Sequence, residues 1–238
     1  MRFDHLMHWV PDLDNAIDAY RRLGFAIQRG GQHPALGTFN AFWRGGSAYL
    51  ELIAVKDPAV AAAAFGVQWP RIEALLGSGG GGGRFAVHVE NVPQLVDTLR
   101  SAGIAVSDPR PGSVTRDDGT TATWTIASVP DSPAWAPFFI NYGTSLAQRA
   151  EFLRQSESEP FKWHIDRLVI ETTDPDASAS WLAQVLSSQR RPDGATVPLE
   201  GARIEFRVGE SERVTQVLLG GPHPPSGEVA GLRISVGS

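Results

Sequence analysis

The 238-residue chain contains no cysteine, which removes disulfide frameworks, thiolate metal sites and cysteine nucleophiles in one step. Any metal has to be held by His, Asp, Glu or amide oxygen. No basic stripe is present either: 21 Lys+Arg stand against 26 Asp+Glu, a formal charge of −5, so a phosphate backbone finds little to bind and nucleic acid is not an expected partner. No stretch approaches the roughly 20 apolar residues that cross a bilayer. The opening MRFDHLMHWVPDLD lacks the apolar core of an export signal, so the expectation is a cytoplasmic protein without a membrane partner. What is there, 42% hydrophobic and 20% charged residues, is ordinary for a folded globular chain.

One phrase recurs along the sequence. From His5 an apolar run leads through Pro11-Asp12-Leu13-Asp14 into a segment with Ala16, Ile17, Tyr20 and Leu23 on one face, closed by Gly24. That spacing predicts an amphipathic helix, with Asp14 as cap and Gly24 as left-handed stop. Phe85 to Val89, Glu90-Asn91-Val92-Pro93, then Leu95, Val96, Leu99, Ala102 and Gly103 repeat it. A third copy runs from Leu168-Val169-Ile170 through Asp174-Pro175-Asp176 into Ala177, Trp181, Leu182, Val185 and Leu186, without a glycine stop. Phe39 to Trp43 and Tyr49 to Val55 predict strands around Gly45-Gly46, and Thr121 to Ala127 and Phe138 to Tyr142 predict the next pair. Ile204 to Val208, Val214 to Leu219 and Leu232 to Val236 supply strands to the last copy.

The order is β-α-β-β-β, repeated. It divides the chain into a first module at 1–56, a helical and Gly-rich linker at 57–83, a second module at 84–145 and a divergent third module at 162–238. The five glycines Gly79 to Gly83 read as a mobile linker, being costly to order. A phosphate loop is the sharper alternative, but no Lys-Ser/Thr completes it. Asp117-Asp118-Gly119 reads as a polar turn.

A βαβββ unit with D-H-L, P-D-L-D, L-G-F and Y-L-E-L-I resembles the first module of the vicinal oxygen chelate superfamily. His33-Pro34-Ala35-Leu36-Gly37-Thr38-Phe39-Asn40 and Pro137-Phe138-Phe139-Ile140-Asn141-Tyr142-Gly143 resemble its glyoxalase-like branch. The resemblance covers residues 1 to 145 well and the last third more loosely. It implies an α+β fold in which paired modules curl into a cupped, mostly antiparallel sheet, helices outside and ligand inside. It also implies metal ligands on the first and last strands of each module, although superfamily members include isomerases, lyases, ring-cleaving dioxygenases and metal-free drug-sequestering proteins. Fold alone does not choose among these.

Side-chain alternation selects the cup face. Leu6 and Val10 toward the helix send His5, Met7 and Trp9 inward, and Leu50 and Leu52 likewise send Tyr49, Glu51 and Ile53 inward. A two-residue turn at Gly45-Gly46 sets Asn40 opposite Glu51 and Thr38 opposite Ile53. Thr38, Asn40, Glu51 and His5 then converge, a set suited to a metal or a polar ligand. Aligning Val89-Glu90-Asn91-Val92 with Val10-Pro11-Asp12-Leu13 sets Arg84 in the place of His5, with Asn141 in the place of Glu51. His88 falls four residues from Arg84, about 13 Å along a strand, and joins His5 and Glu51 only in another register. In the third copy Arg167 occupies the His5 place.

Metal ligands are thus reduced to His5 and Glu51, for Mn, Fe, Ni or Zn, with no cofactor as the alternative. Arg84 offers an anion fork, or pairs with Glu51 as a structural bridge. Trp9 and Tyr49 are candidates to stack on a flat ligand. His33 sits in a loop near the cup mouth; His8 reads as a core histidine, His164 as a contact residue and His223 as an exposed turn. Trp43, Trp69, Trp124 and Trp181 read as packing.

The leading functional expectation is a glyoxalase-like lyase or isomerase acting on a small oxygen-rich, anionic metabolite by proton transfer next to a carbonyl. Glu51 is the base and His5 its partner, with Thr38, Asn40, Arg84 and Asn141 holding the substrate. The alternatives are a non-catalytic sequestration protein and a metal-dependent extradiol-type dioxygenase. The third module is expected to cover a sheet edge or to form a homodimer contact.

Overall fold

In the computed structural model, residues 1–115, 121–143, 162–192 and 194–237 are described, so the Asp117-Asp118-Gly119 turn lies outside them. Each helix begins where the sequence offers a side-chain oxygen to its first free N–H groups. Helix α1, Leu13–Arg22, is capped by Asp12, which accepts from the Asn15 amide at 2.9 Å. Asp14, the cap expected from sequence, already lies in the first turn, where its charge complements the positive end of the helix dipole. Asn91 caps α4, Val92–Ser101, and Asp174 caps α5, Pro175–Val185, through the same bond. Gly24 and Gly103 end the first two with positive φ, and Ser187 takes that conformation after the third.

The strands are β1 Arg2–Trp9, β2 Gln28–His33, β3 Thr38–Gly45, β4 Ala48–Val55, β5 Gly81–His88, β6 Arg110–Thr115 and β7 Thr121–Ser128. They continue as β8 Phe138–Asn141, β9 His164–Thr172, β10 Thr196–Leu199, β11 Ala202–Val208, β12 Arg213–Gly220, β13 Gly227–Val229 and β14 Leu232–Val236. One sheet contains them all in the path β10-β11-β9-β12-β5-β1-β4-β3-β2, with β14 and β13 branching from β12, and β8, β7 and β6 from β5. Most pairs are antiparallel. Parallel pairs occur where the last strand of a module returns beside its first: β1 with β4, β5 with β8, β9 with β11 and β12 with β14.

Those four parallel pairs give the last third two strand returns, β11 beside β9 and β14 beside β12. The last third is two units rather than one: β9-α5-β10-β11, and β12-β13-β14 without a helix. Its inner order β11-β9-β12-β14 reproduces β4-β1-β5-β8, so the chain holds one complete cup and a second, reduced one. Strand β12 continues the sheet beyond β5 and covers an edge, as expected of the last module.

The glycine run joins the two halves rather than linking modules loosely. Gly81 to Gly83 open β5 and are buried. A Cβ on Gly82 would lie 2.6 Å from the Val214 carbonyl of β12, and one on Gly83 would lie 2.8 Å from the Trp9 indole. Ordering glycine costs entropy, but here only a bare backbone lets strand and ring approach. The rest of the expected linker forms α2, Pro58–Phe65, and α3, Trp69–Gly77.

The main core lies between sheet and helices, around Phe3, Leu6, Ile17, Tyr20, Phe85 and Phe139. His8 belongs to this side. Its Nε2 donates to the Ala230 carbonyl and its Nδ1 accepts from the Tyr20 hydroxyl, both at 3.0 Å, which fixes the neutral tautomer. Burial pushes its pKa down from 6.5 to about 4. His164 starts β9 on the surface, and His223 sits exposed in a turn with φ 45°.

Candidate functional site

The concave face encloses a cavity of about 2090 Å³, and the strand registers arrange its floor in rows. In the first row, His5 on β1 lies beside Tyr49 on β4 and Ala86 on β5, which is beside Phe138 on β8. In the second, Met7 separates Glu51 from Arg84, since the β1/β5 register brackets Met7 between Phe85 and Gly82. The third is apolar, Ile53 beside Trp9, with the glycines of β5 beyond. Alternation carries this pattern: residues i and i+2 share a face, so one polar pair followed by one apolar pair gives a gradient along the cup.

The hairpin turn expected at Gly45-Gly46 is Gly46-Ser47, and Gly46 takes φ 76°. Asn40 is therefore opposite Ile53 and Thr38 opposite Val55. The slip is two residues, so no side chain changes face. Asn40 reaches diagonally and donates from Nδ2 to Glu51 Oε1 at 2.6 Å, while its own Oδ1 accepts from the Gly31 amide at 2.9 Å. The segment read as a loop before Pro34 is the edge strand β2, irregular between Arg29 and Gln32.

The reactive groups form a chain. Asp4 is the extra residue of a bulge in β1, since Phe3 faces Val87 and His5 faces Ala86. The Tyr142 hydroxyl donates to Asp4 Oδ1 at 3.0 Å, and His5 Nδ1 lies 3.3 Å from the same oxygen. Tyr49 and Tyr142 hydroxyls are 3.2 Å apart. His5 Nε2 faces Glu51 Oε2 at 3.6 Å. Nδ1 is placed to donate to Asp4, and Nε2 stands toward a carboxylate oxygen, so a single proton can bridge imidazole and carboxylate. The imidazole stacks on Tyr49, centroids 4.4 Å apart, and meets the edge of Phe138 at 5.5 Å, and both Asp4 and His5 are buried.

Neither Asp4 nor Tyr142 is among the site residues expected from sequence. The bulge that turns Asp4 toward His5 breaks the alternation that selects the cup face, so pattern alone misses it.

Other expected residues are placed differently. Glu51 and Arg84 form no ion pair. Arg84 donates from Nε to the Ala136 carbonyl and from Nη2 to the Pro137 carbonyl, each at 3.0 Å, leaving Nη1 uncommitted among the described residues. Burial, with Arg110 and Arg71 near, lowers its pKa to about 10, so it stays charged at neutral pH. Asn141 is neither the counterpart of Glu51 nor part of the cavity wall. The registers Met7 with Glu51 and Ala86 with Phe138 make Phe138 the counterpart. Asn141 instead donates to the Val89 and Glu90 carbonyls and accepts from the Gly143 amide.

Thr38 is buried behind His33, whose Nδ1 lies 3.1 Å from its hydroxyl. His33 is itself buried and lines the cavity beside Trp124, which also faces the cup rather than the core. Trp9 packs edge-to-face on Phe65, at 5.4 Å. His88 is buried, its ring tilted against Tyr142 at 5.9 Å. It lies two residues from Ala86, which is opposite His5, as does Arg84 on the other side; the distance along the strand from Arg84 therefore overstates its separation from His5.

A divalent ion does not fit this donor set. The four corners where the resemblance places ligands hold His5, Glu51, a guanidinium and a phenyl ring, and no cluster of three metal-binding side chains suited to an ion occurs among the described residues. In the reduced second cup the same corners are Arg167, Glu205, Gln216 and Ser235, and they pair with one another. Arg167 bonds Glu205 at 2.5 Å and Gln216 bonds Ser235 at 2.8 Å. Arg167 and Arg207 hold the Glu205 carboxyl below its usual range against the opposing effect of burial.

Residues 3–186 match the model of the glyoxalase-like domain family. Among solved structures, a hypothetical protein from Staphylococcus aureus superimposes with TM-score 0.85 over 98% of this chain and 97% of its own, at 15% identity. A methylmalonyl-CoA epimerase from Mycobacterium tuberculosis aligns over 62% of this chain and 91% of its own, at 21% identity and TM-score 0.44. No curated protein matches the sequence. Among the described residues no helix is long and apolar enough to cross a membrane.

Proposed function

Because the chain belongs to the glyoxalase-like domain family, we propose that its complete cup binds a small carbonyl acid and moves a proton next to the carbonyl without a metal. The observation that carries this reading is the chain Asp4, His5, Glu51, in which an imidazole nitrogen and a carboxylate oxygen face each other at 3.6 Å, with Asp4 beside the imidazole and Asn40 bonded to the carboxylate. The substrate C–H bond breaks toward Glu51, the electron pair moves into the carbonyl to give an enolate, and the proton is shared between Glu51 Oε2 and His5 Nε2. Exchange of that proton with solvent before its return gives the exchanged substrate, and protonation on the opposite face of the enolate, or at its oxygen-bearing neighbour, gives the epimer or isomer. Arg84 lies one strand beyond Met7, two strand spacings or roughly 10 Å from Glu51. This suits a carboxylate held at the guanidinium and a reacting carbon at the base.

The test can begin before the substrate is identified. Carbonyl acids incubated in D₂O are followed by proton NMR for loss of the signal next to the carbonyl. The wild type should accelerate exchange for at least one, and Glu51→Gln should lose about 10²–10⁴ of the rate, the usual contribution of a positioned base. Tight binding of a carbonyl acid with exchange at the uncatalysed rate would make the cup a sequestration site. Exchange unaffected by Glu51→Gln would remove Glu51 as the base.

A further inference from the structure

The complete cup differs from the reduced one in its connection between inner strands. Four residues, Gly209 to Glu212, join β11 to β12, whereas the stretch from Lys56 to Gly80 joins β4 to β5 and folds into α2 and α3. The insertion accompanies the half whose acid–base groups face a cavity. It is absent from the half whose corners are paired off.

Its inner face is apolar and extends the third row of the floor. Trp9, Ile53 and Ile72 form a second cluster apart from the main core, and Phe65 and Leu75 pack on it; all five line the cavity. At the rim, Val67 between the helices is 90% exposed and also lines the cavity. Arg71 on α3 donates to the Ser132 carbonyl at 3.0 Å, tying the insertion across to the connection before β8. The volume, about 2090 Å³, exceeds the roughly 300–1,000 Å³ of an ordinary small-ligand pocket. The apolar row begins two residues, or about 7 Å, beyond the Glu51–Arg84 row. A ligand reacting at Glu51 with its carboxylate at Arg84 has its remaining substituent directed either back to the aromatic first row, with the His5 ring and the Tyr49 hydroxyl, or on to the third, where Asn40 opposite Ile53 is already bonded to Glu51 and Gly31.

We propose that α2 and α3 build a hydrocarbon-chain pocket, so that the substrate class is a medium-chain carbonyl acid whose alkyl tail runs from Glu51 toward the half-buried Phe65 and Leu75, over the closed Trp9, Ile53 and Ile72 cluster. This rests on the proton-transfer reading of the same cup. The probes are straight-chain 2-oxo acids of four to ten carbons, with phenylpyruvate as the ring-bearing comparison, titrated calorimetrically into the full chain. Affinity should rise about fourfold per methylene until the pocket is filled, with an increasingly negative heat-capacity change. Leu75→Ser should flatten the series at its long end and leave the four-carbon acid unchanged, with an unaltered melting temperature showing that the insertion remains folded.

Affinity independent of chain length, or phenylpyruvate binding more tightly than every linear acid, overturns the chain pocket. The same probes followed by deuterium exchange separate the two readings. Exchange of the short acids that depends on Glu51, without chain-length dependence, keeps the proton transfer and rejects the pocket. Chain-length-dependent binding without exchange keeps the pocket and rejects the proton transfer.

Discussion

Lowering the pH should destabilise the chain through His8. The ring is fully buried, donates from Nε2 to Ala230 of the second half and accepts at Nδ1 from Tyr20 of α1. A second proton creates a charge without water. Its folded pKa of about 4 lies below the ordinary 6.5, so between these values the unfolded chain binds more protons than the folded one. Stability is therefore full above about pH 6.5 and falls as pH drops through that window. At 1.36 kcal/mol per pKa unit the loss is about 2 kcal/mol by pH 5 and about 3 kcal/mol below pH 4. Urea unfolding of wild type and His8→Gln at pH 7.5, 6 and 5 measures it. The wild type should lose about 2 kcal/mol more than the variant between the ends of that range. Parallel losses in the two proteins would refute a neutral, buried His8.

Three further outcomes follow from the packing. Gly82→Ala places a Cβ 2.6 Å from the Val214 carbonyl and should cost about 1–3 kcal/mol in urea unfolding, whereas Gly77→Ala at the end of α3, where nothing lies within 4 Å, should be neutral or slightly stabilising. Asn141→Ala removes two bonds to backbone carbonyls and should lower stability by about 1–2 kcal/mol without weakening ligand binding in calorimetry. Glu205→Gln in the reduced cup should leave the deuterium-exchange rate unchanged while lowering the melting temperature, because it strands Arg167 partly buried.

The repeat was legible because each copy carries its own cap and apolar face, and the first two a glycine stop, all local in sequence. Asp12, Asn91 and Asp174 mark it almost by themselves. The fourth unit was not, since it has no helix and only the parallel return of β14 beside β12 reveals it. His5, Asn40, Glu51 and Arg84 came to the cup because alternation survives an even slip in register. Asp4 was lost to a bulge, and Asn141 was misplaced because the second module's last strand was aligned by sequence rather than by its pairing with β5. The glycines misled for a related reason: a residue without a side chain gives no sign in sequence of what will press against it, and here β12 and Trp9 do.

The proposed proton transfer between Glu51 and His5 needs no metal in the cup. Its most direct measurement is the rate of deuterium incorporation next to the carbonyl of an accepted 2-oxo acid, for tag-free protein before and after exhaustive chelation. An unchanged rate after chelation and a fall of about 10²–10⁴ in Glu51→Gln are expected. A rate that vanishes with the chelator and returns with one equivalent of manganese, iron, nickel or zinc would contradict a metal-free transfer.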